Sequence, residues 1–450
     1  MKIILIALDT LRADHLGTYG YPMETSPFID RLAGEGVVFD RHYSSDVPTP
    51  PAYTAMMCGQ RGLHNGIFGF GHTNYDFNSI TPLLAEHLSG AGYRTGMISN
   101  LLYVCPWLSR GFKDIVPPGL RFQGGTADEV TDEAATWLDN HCKKDFFLFV
   151  HYWDPHVNYF KRAPEDYKKI FQKKDYSKIA PTVDYLEKNR MINMVYREAV
   201  EHAMSSHYHP KDIIPVYDAC IRYVDYGIEK LFKHLEKLGI SEETLLLITS
   251  DHGEAFGEKG FFDHLSCYEN IAHVPLIIRW PGKIPSARRI PGYTLEIDLM
   301  PTILDFCGLP IPEGIDGKSL KDTMLYDSET PYKEIVTNSA SIPIQRMYIR
   351  DDWALVHTLD KSIYEYLNTY ELFDISQDKE QETDLAEQEN DRFNEMRTAY
   401  DSWLDEQLQG KPDLLQGIAL RGGGWWTHGI NMAFYRILIF LSGMKVLRRV

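Results

Sequence analysis

The sequence predicts an α/β fold, a parallel sheet wrapped by helices, with a small lobe after it. Short apolar runs rich in β-branched residues recur between helical stretches: KIILIALD at 2–9, FFLFVHYW at 146–153, TLLLITSD at 244–251 and VPLIIRW at 274–280. Strands buried on both faces lose the alternation of polar and apolar side chains, so runs of this kind read as a covered parallel sheet. Three of the runs end in residues that can bind a metal or move a proton: Asp9, then His151 with Asp154 and His156, then Asp251 with His252. Such a sheet gathers its chemistry at the carboxyl ends of its strands.

The 450 residues exceed what one small core can hold, and the divisions expected are a catalytic domain at 1–335, a small sheet-and-helix subdomain at 336–415 and an apolar, basic helical tail at 416–450. An apolar fraction of 44% with 12% aromatics is that of a globular protein. The formal charge of −17 excludes a general nucleic-acid binder, which needs a surplus of Lys and Arg.

The opening MKIILIALDT is too short for a signal-peptide core and reads as the first buried strand, from which a cytoplasmic location is expected. The Pro-rich segment SSDVPTPPAYTAMMCGQRG at 44–62 runs into a small-residue helix that presents Thr49 near its N-terminus. There, backbone N–H groups and the dipole favour an anionic ester. Residues 160–215 read as helices passing over the site and forming part of its rim. From about 335, short segments with polar breaks precede a charged helical stretch at 391–408, DRFNEMRTAYDSWLDEQL. The final INMAFYRILIFLSGMKVLRRV is interrupted by Arg436 and Lys445 and falls short of a spanning helix. Its expected role is packing or homo-oligomer formation, with contact at a membrane surface as the alternative. The six cysteines form no C-x-x-C pair and read as reduced core residues.

Asp9, Asp251 and His252 together make a mixed oxygen and nitrogen site that suits Mn or Zn better than an all-oxygen site would, with Ca as a further option. In HYWDPHVNYF, His156 is placed to donate to a substrate oxygen or protonate a leaving group. A lone Asp-His-Gly or a lone histidine carries little weight.

The order and flanks of these segments are more specific. Across most of its length the chain resembles the sulfatase family of the alkaline phosphatase superfamily. The resemblance rests on LDTLRADHLGTYGY, TPPAYTAMMCG, AGYRTGMISN, FFLFVHYWDPHVNY, SDHGEAFGEKGFFDH, HVPLIIRWPG, EIDLMPTILDFCGL, GIDGKSL and YELFDISQDKEQETDLA, in family order. It implies a mixed, mostly parallel sheet flanked by helices, a smaller C-terminal α+β subdomain and a divalent cation on Asp9, Asp251 and His252, with Thr49 contacting it. Thr10 stands where a second acidic ligand is often Asp, and Asp154 is a further candidate ligand.

The nucleophile position falls on Thr49, where most sulfatases carry the cysteine that becomes formylglycine. Threonine is no known source of that group, so none is expected. Threonine does serve directly in related phosphodiesterases and phospho-alcohol transferases, and a bound cation makes this chemistry reasonable. The family's arginine of C-x-P-x-R falls on Tyr53, and the lysine and histidine of its G-K-x-H segment on Asn100 and Leu102. The late sulfatase lysine is replaced by His264. A less charged pocket with Tyr53, Asn100 and Arg12 on the substrate oxygens, and His156 and His264 on the leaving alcohol, implies a small-molecule phosphodiester or phosphonate monoester. The rival expectations are a sulfatase without formylglycine, a phospho-alcohol transferase and a degenerate scaffold.

Overall fold

The computed structural model describes residues 1–69, 82–120, 124–157, 159–181, 210–362 and 364–421. Two large sheets and a two-stranded hairpin order it. In chain order the strands are β1 (Lys2–Leu8), β2 (Val37–Tyr43), β3 (Asp46–Val47), β4 (Arg94–Ile98), β5 (Asp114–Val116), β6 (Phe146–Tyr152) and β7 (Thr244–Thr249). Then follow β8 (Ala255–Phe256), β9 (Phe262–Asp263), β10 (Leu276–Arg279), β11 (Arg288–Leu295), β12 (Glu334–Ala340), β13 (Ile344–Arg350), β14 (Trp353–Asp360) and β15 (Tyr370–Asp374).

The large sheet has the order β11-β2-β10-β7-β1-β6-β4-β5. β1 pairs in parallel with β6 and β7, and β4 in parallel with β6 and β5. β10 runs antiparallel to both β7 and β2. All four apolar runs are therefore strands of this sheet, but VPLIIRW enters it reversed. Its side chains Leu276, Ile277 and Ile278 are as buried as those of β1, and burial on both faces looks the same in either direction. Helices cover both faces. Pro27–Gly34, Ala127–His141 and Pro210–Lys237 enclose one core with Ile4, Ile6, Leu148 and Val150, while Thr49–Cys58, Leu84–Gly90 and Leu299–Phe306 enclose the other with Ile3, Leu5, Phe147 and Phe149.

The small sheet has the order β15-β14-β13-β12-β3, antiparallel apart from the parallel pairing of β12 with β3. Helix Asn390–Leu408 closes its core through Met396, Tyr400 and Trp403. This sheet is not built from late residues alone: β3, from the segment leading into Thr49, is its edge strand. Helix Leu414–Leu420 continues through the expected start of the tail at 416. Residues 422–450, where most of that tail lies, and 182–209 of the expected rim fall outside the described residues. No described helix is long and apolar enough to cross a membrane.

Candidate active site

Asp9 follows β1, Asn100 lies two residues beyond β4, the His151–His156 segment ends and follows β6, and Asp251 with His252 follows β7. The parallel pairing of these strands brings the four ends to one edge of the sheet, where helix Thr49–Cys58 begins. Thr49 is its first residue, and Pro50 and Pro51 follow. The helix offers an anion less than the sequence suggests. Prolines have no N–H, and the Ala52 amide already donates to Pro48 O at 3.1 Å, which leaves the Thr49 amide as the donor of the first turn.

Asp9, Thr10, Thr49, Asp251 and His252 are buried, with no more than 1% exposure. The His252 ring is fixed by its Nδ1–H, 2.9 Å from the carbonyl of Gly253. A backbone carbonyl can only accept, so Nε2 of the neutral ring is bare. That bare nitrogen lies 3.1 Å from Thr49 Oγ1 and 3.2 Å from Asp251 Oδ2. A lone pair facing a carboxylate oxygen at this distance is repulsive unless a cation or proton lies between them. Ligands about 2.1 Å from one ion stand ~3.0–3.4 Å apart, so the spacing suits co-ligation.

Unsatisfied oxygens point the same way. Asp9 Oδ1, Asp251 Oδ2, Thr10 Oγ1 and Tyr53 Oη are buried with no hydrogen-bond partner, whereas such groups are ordinarily paired. The ligand atoms of Asp9, Asp251 and His252 lie within 4.8 Å of one another. Burial pushes the Asp9 carboxyl up to about 7 against the charges of His264 and Arg162, and burial beside Asp9 holds Asp251 well above the carboxylate range. Two such carboxyls side by side need positive charge to ionise together. Thr10, a β-branched residue, is held at φ 62°, a left-handed conformation that costs energy, with its amide 3.2 Å from Asp251 Oδ1. The donor set therefore fits a divalent cation, with Thr10 Oγ1 available as a further oxygen.

His151 is a part of the site that its motif left unassigned. Ser99 Oγ–H donates to its Nδ1 at 3.0 Å, and its Nε2–H reaches Asp9 Oδ2 at 3.1 Å, so one carboxylate oxygen is occupied and Oδ1 is turned out. Tyr53 packs edge-on against His151 with centroids 5.1 Å apart, and Asn100 is buried nearby at the end of β4.

His264 stacks on His252 with centroids 4.4 Å apart, and His156 lies 5.1 Å from His264, so both expected leaving-group histidines join the site. Their surroundings differ. Burial works against charge on His264, but Asp263 at 2.6 Å and Glu254 at 3.5 Å outweigh it, and His264 titrates well above the usual range. His156 is pushed down to about 3 by burial and by the nearby His264 charge. Glu254 is held by Tyr159, whose hydroxyl donates to Oε2 at 2.6 Å. Neither Glu254 nor Asp263 stands out in the sequence: Asp263 is the chain neighbour of His264, and Glu254 reaches it only through the β8–β9 pairing. Glu254, Asp263 and His264 also lie close enough to ligate an ion. The 2.6 Å separation from His264 Nδ1 to Asp263 Oδ1, however, is that of a close ion pair and too short for two ligands of one ion.

Two candidates stay apart from this cluster. Arg12 uses Nε and one terminal nitrogen on Asp14 at 2.8 and 2.7 Å, and the other on Glu258 at 2.5 Å and Glu254 O at 3.2 Å. Four of its five N–H donors are engaged, so it braces the turn after β7 rather than facing substrate. Asp154 Oδ1 accepts from the amide of Ala127 at 3.1 Å, the first residue of helix Ala127–His141, while its Oδ2 is buried without a hydrogen-bond partner. The arginine whose charge is felt at the site is Arg162, which with His264 lowers the pKa of Asp9 and also lowers that of Asp154.

The model of the sulfatase family matches residues 2–309, 308 of the 450 residues. The chain belongs to the sulfatase family. A second model, that of the N-sulphoglucosamine sulphohydrolase C-terminal region, matches 257–409. Among curated sulfatase-family relatives, an N-acetylglucosamine-6-O-sulfatase of Bacteroides thetaiotaomicron is 25% identical, over 84% of this chain and 81% of its own length. A choline-sulfatase of Rhizobium meliloti is 24% identical, over 86% and 82%. Among solved structures, a phosphonate monoester hydrolase of Agrobacterium radiobacter superposes with a TM-score of 0.73 at 19% identity, covering 90% of this chain and 95% of that one. This sulfatase-family chain is thus a hydrolase of ester bonds, of a family in which dependence on a divalent metal is typical.

Proposed function

We propose that this protein cleaves phosphodiesters or phosphonate monoesters, with Thr49 as the nucleophile and a divalent cation held by Asp9, Asp251 and His252. The 3.1 Å approach of Thr49 Oγ1 to the bare nitrogen of His252 carries the reading, because it sets an alcohol beside the ligand atoms. When bound, the cation lowers the cost of ionising that alcohol and of charge on the attacked group. Thr49 Oγ gives its proton to solvent and attacks phosphorus, and the bond to the departing alcohol breaks as a covalent threonine ester forms. His264, kept protonated by Asp263 and Glu254, gives the alcohol its proton, and neutral His156 can add an N–H contact. Tyr53 and Asn100 orient the non-bridging oxygens. Water then attacks phosphorus, which releases the acid product and restores Thr49.

Charge alone does not choose the ester, since sulfate monoesters, phosphodiesters and phosphonate monoesters are all monoanions. The nucleophile favours phosphorus: with an unmodified alcohol, both half-reactions must be in-line attacks on the central atom. The competing reading, a sulfatase working without formylglycine, is supported by the sulfatases among the relatives. The test is a panel of aryl phosphodiesters, phosphonate monoesters and aryl sulfates with Mn, using wild type and Thr49→Ala. Loss of turnover by about 10³-fold or more is expected for the variant. Full turnover without the hydroxyl would end the nucleophile assignment, and sulfate release well above diester cleavage would select the sulfatase.

A further inference from the structure

Thr49 lies three residues beyond Asp46, the first residue of β3, and β3 belongs to the small sheet. What holds it there is a chain of buried polar groups. Asn338 on β12 donates its backbone N–H to Ser45 O at 2.9 Å and its Nδ2–H to Asp46 Oδ1 at 3.0 Å. Its remaining side-chain oxygen accepts from Arg346 Nε at 2.8 Å. Arg346 is fully buried, and its two terminal nitrogens grip Asp413 at 3.0 and 3.1 Å, in the fork geometry that fixes direction as well as distance. Asp413 in turn caps helix Leu414–Leu420, accepting from Leu415 N at 3.0 Å.

At the other end, Asp46 Oδ2 accepts from Gly62 N at 3.0 Å and from Ser45 Oγ at 2.9 Å, and Glu296 takes Ser45 N at 3.0 Å. The turn between β2 and Thr49 is thereby clamped from both sides. A buried guanidinium costs several kcal/mol to desolvate, and apolar packing could fill the same space more cheaply. Its retention on this path calls for a role that packing would not serve.

We propose that Arg346 and Asp413 are positioning residues for Thr49. Through Asn338 and Asp46 they hold the start of helix Thr49–Cys58 at the height from which Oγ can attack, so the small sheet is part of the catalytic apparatus. The proposal rests on Thr49 being the nucleophile. Neither residue touches substrate, so their loss should act on the chemical step and leave substrate affinity alone.

The test uses the full chain loaded with Mn and compares Asp413→Asn, which keeps the helix cap and removes the charge, with Arg346→Met, which keeps the volume. Readouts are kcat per metal-loaded site, KM, metal stoichiometry and Tm. An error near 1 Å in nucleophile placement can cost on the order of 10²-fold in rate. Expected is a fall in kcat of about 10-fold for Asp413→Asn and up to about 10²-fold for Arg346→Met, with KM within about 3-fold and full metal content. A lower Tm with kcat per loaded site unchanged would overturn the proposal, because that is the signature of a residue that only supports the fold. If Arg346→Met does not fold, Asp413→Asn alone decides. An active Thr49→Ala removes the underlying nucleophile reading, whereas an inactive Thr49→Ala with unaltered kcat in these two variants refutes only the positioning role.

Discussion

Tyr53 offers a direct way to separate what the site does for folding from what it does for catalysis. Its hydroxyl is buried and has no hydrogen-bond partner, while burial and the charges of Asp251 and Asp9 keep it protonated far above its ordinary range. A donor in this position has given up water without gaining an acceptor, a debt of about 1–3 kcal/mol. Tyr53→Phe keeps the ring packed on His151 and Phe149 and removes only the oxygen. The metal-free variant should therefore be more stable than wild type by about 1–3 kcal/mol, measured by denaturant unfolding. If the hydroxyl is reserved for a substrate oxygen, kcat should fall by about 10²-fold, the cost of removing one such donor. A stability gain with a rate loss is the outcome expected of a group held unsatisfied for its function. A variant that unfolds more easily and turns over at the wild-type rate would refute this reasoning, because the hydroxyl would then have a partner in the core and none in the substrate.

Two other perturbations follow from the electrostatics. Without an ion the adjacent Asp9 and Asp251 carboxyls hold protons, so adding Mn to metal-free protein in weak buffer should release protons and lower the pH, and chelation should lower Tm. At 100-fold excess of ion over its Kd, the stability lost is about 2.7 kcal/mol. Unchanged Tm at zero metal content would remove the cation from the site. In acid, buried His42 and half-buried His357 are held neutral, chiefly by desolvation, with pKa values down to about 3 and about 4. The unfolded chain titrates near the ordinary ~6.5 and so binds more protons below that pH, and stability should fall as pH drops through 6.5 toward 4. From pH 7 to 5 each histidine should contribute a loss of about 2 kcal/mol, and a His357→Gln variant should show a shallower pH slope. An unaltered slope would contradict burial of the neutral ring.

Much of this architecture can be read from local pattern. β1, β6, β7 and β10 announce themselves as apolar runs, and Asp9, Asp251 and His252 follow them at the ends where a parallel sheet collects its ligands. Strand direction was not legible, since β10 carries the same pattern as its parallel neighbours. Nor were β2 and β11, whose exposed or half-exposed Asp40, Arg41, Arg288 and Arg289 interrupt the apolar pattern. Arg12 reads as a substrate ligand because of its neighbourhood in the chain. Apart from Asp14, the groups that occupy it are the Glu254 carbonyl and the Glu258 carboxylate, about 240 positions away. His151 and Glu254 are similar cases: residue type suggests chemistry, but only the pairing of strands distant in sequence reveals what each touches.

The central place of β1 has a bearing on how the protein is made. Its two neighbours in the sheet begin at Phe146 and Thr244, so β1 waits for residues synthesised far later. At ~5–20 residues per second, the interval before β7 emerges is on the order of 10–50 s. Throughout that time the apolar run Ile3–Leu8 has no native partner on one side. The proposed cation site draws on residues 9, 251 and 252 together, so it would assemble only after β7 has been made.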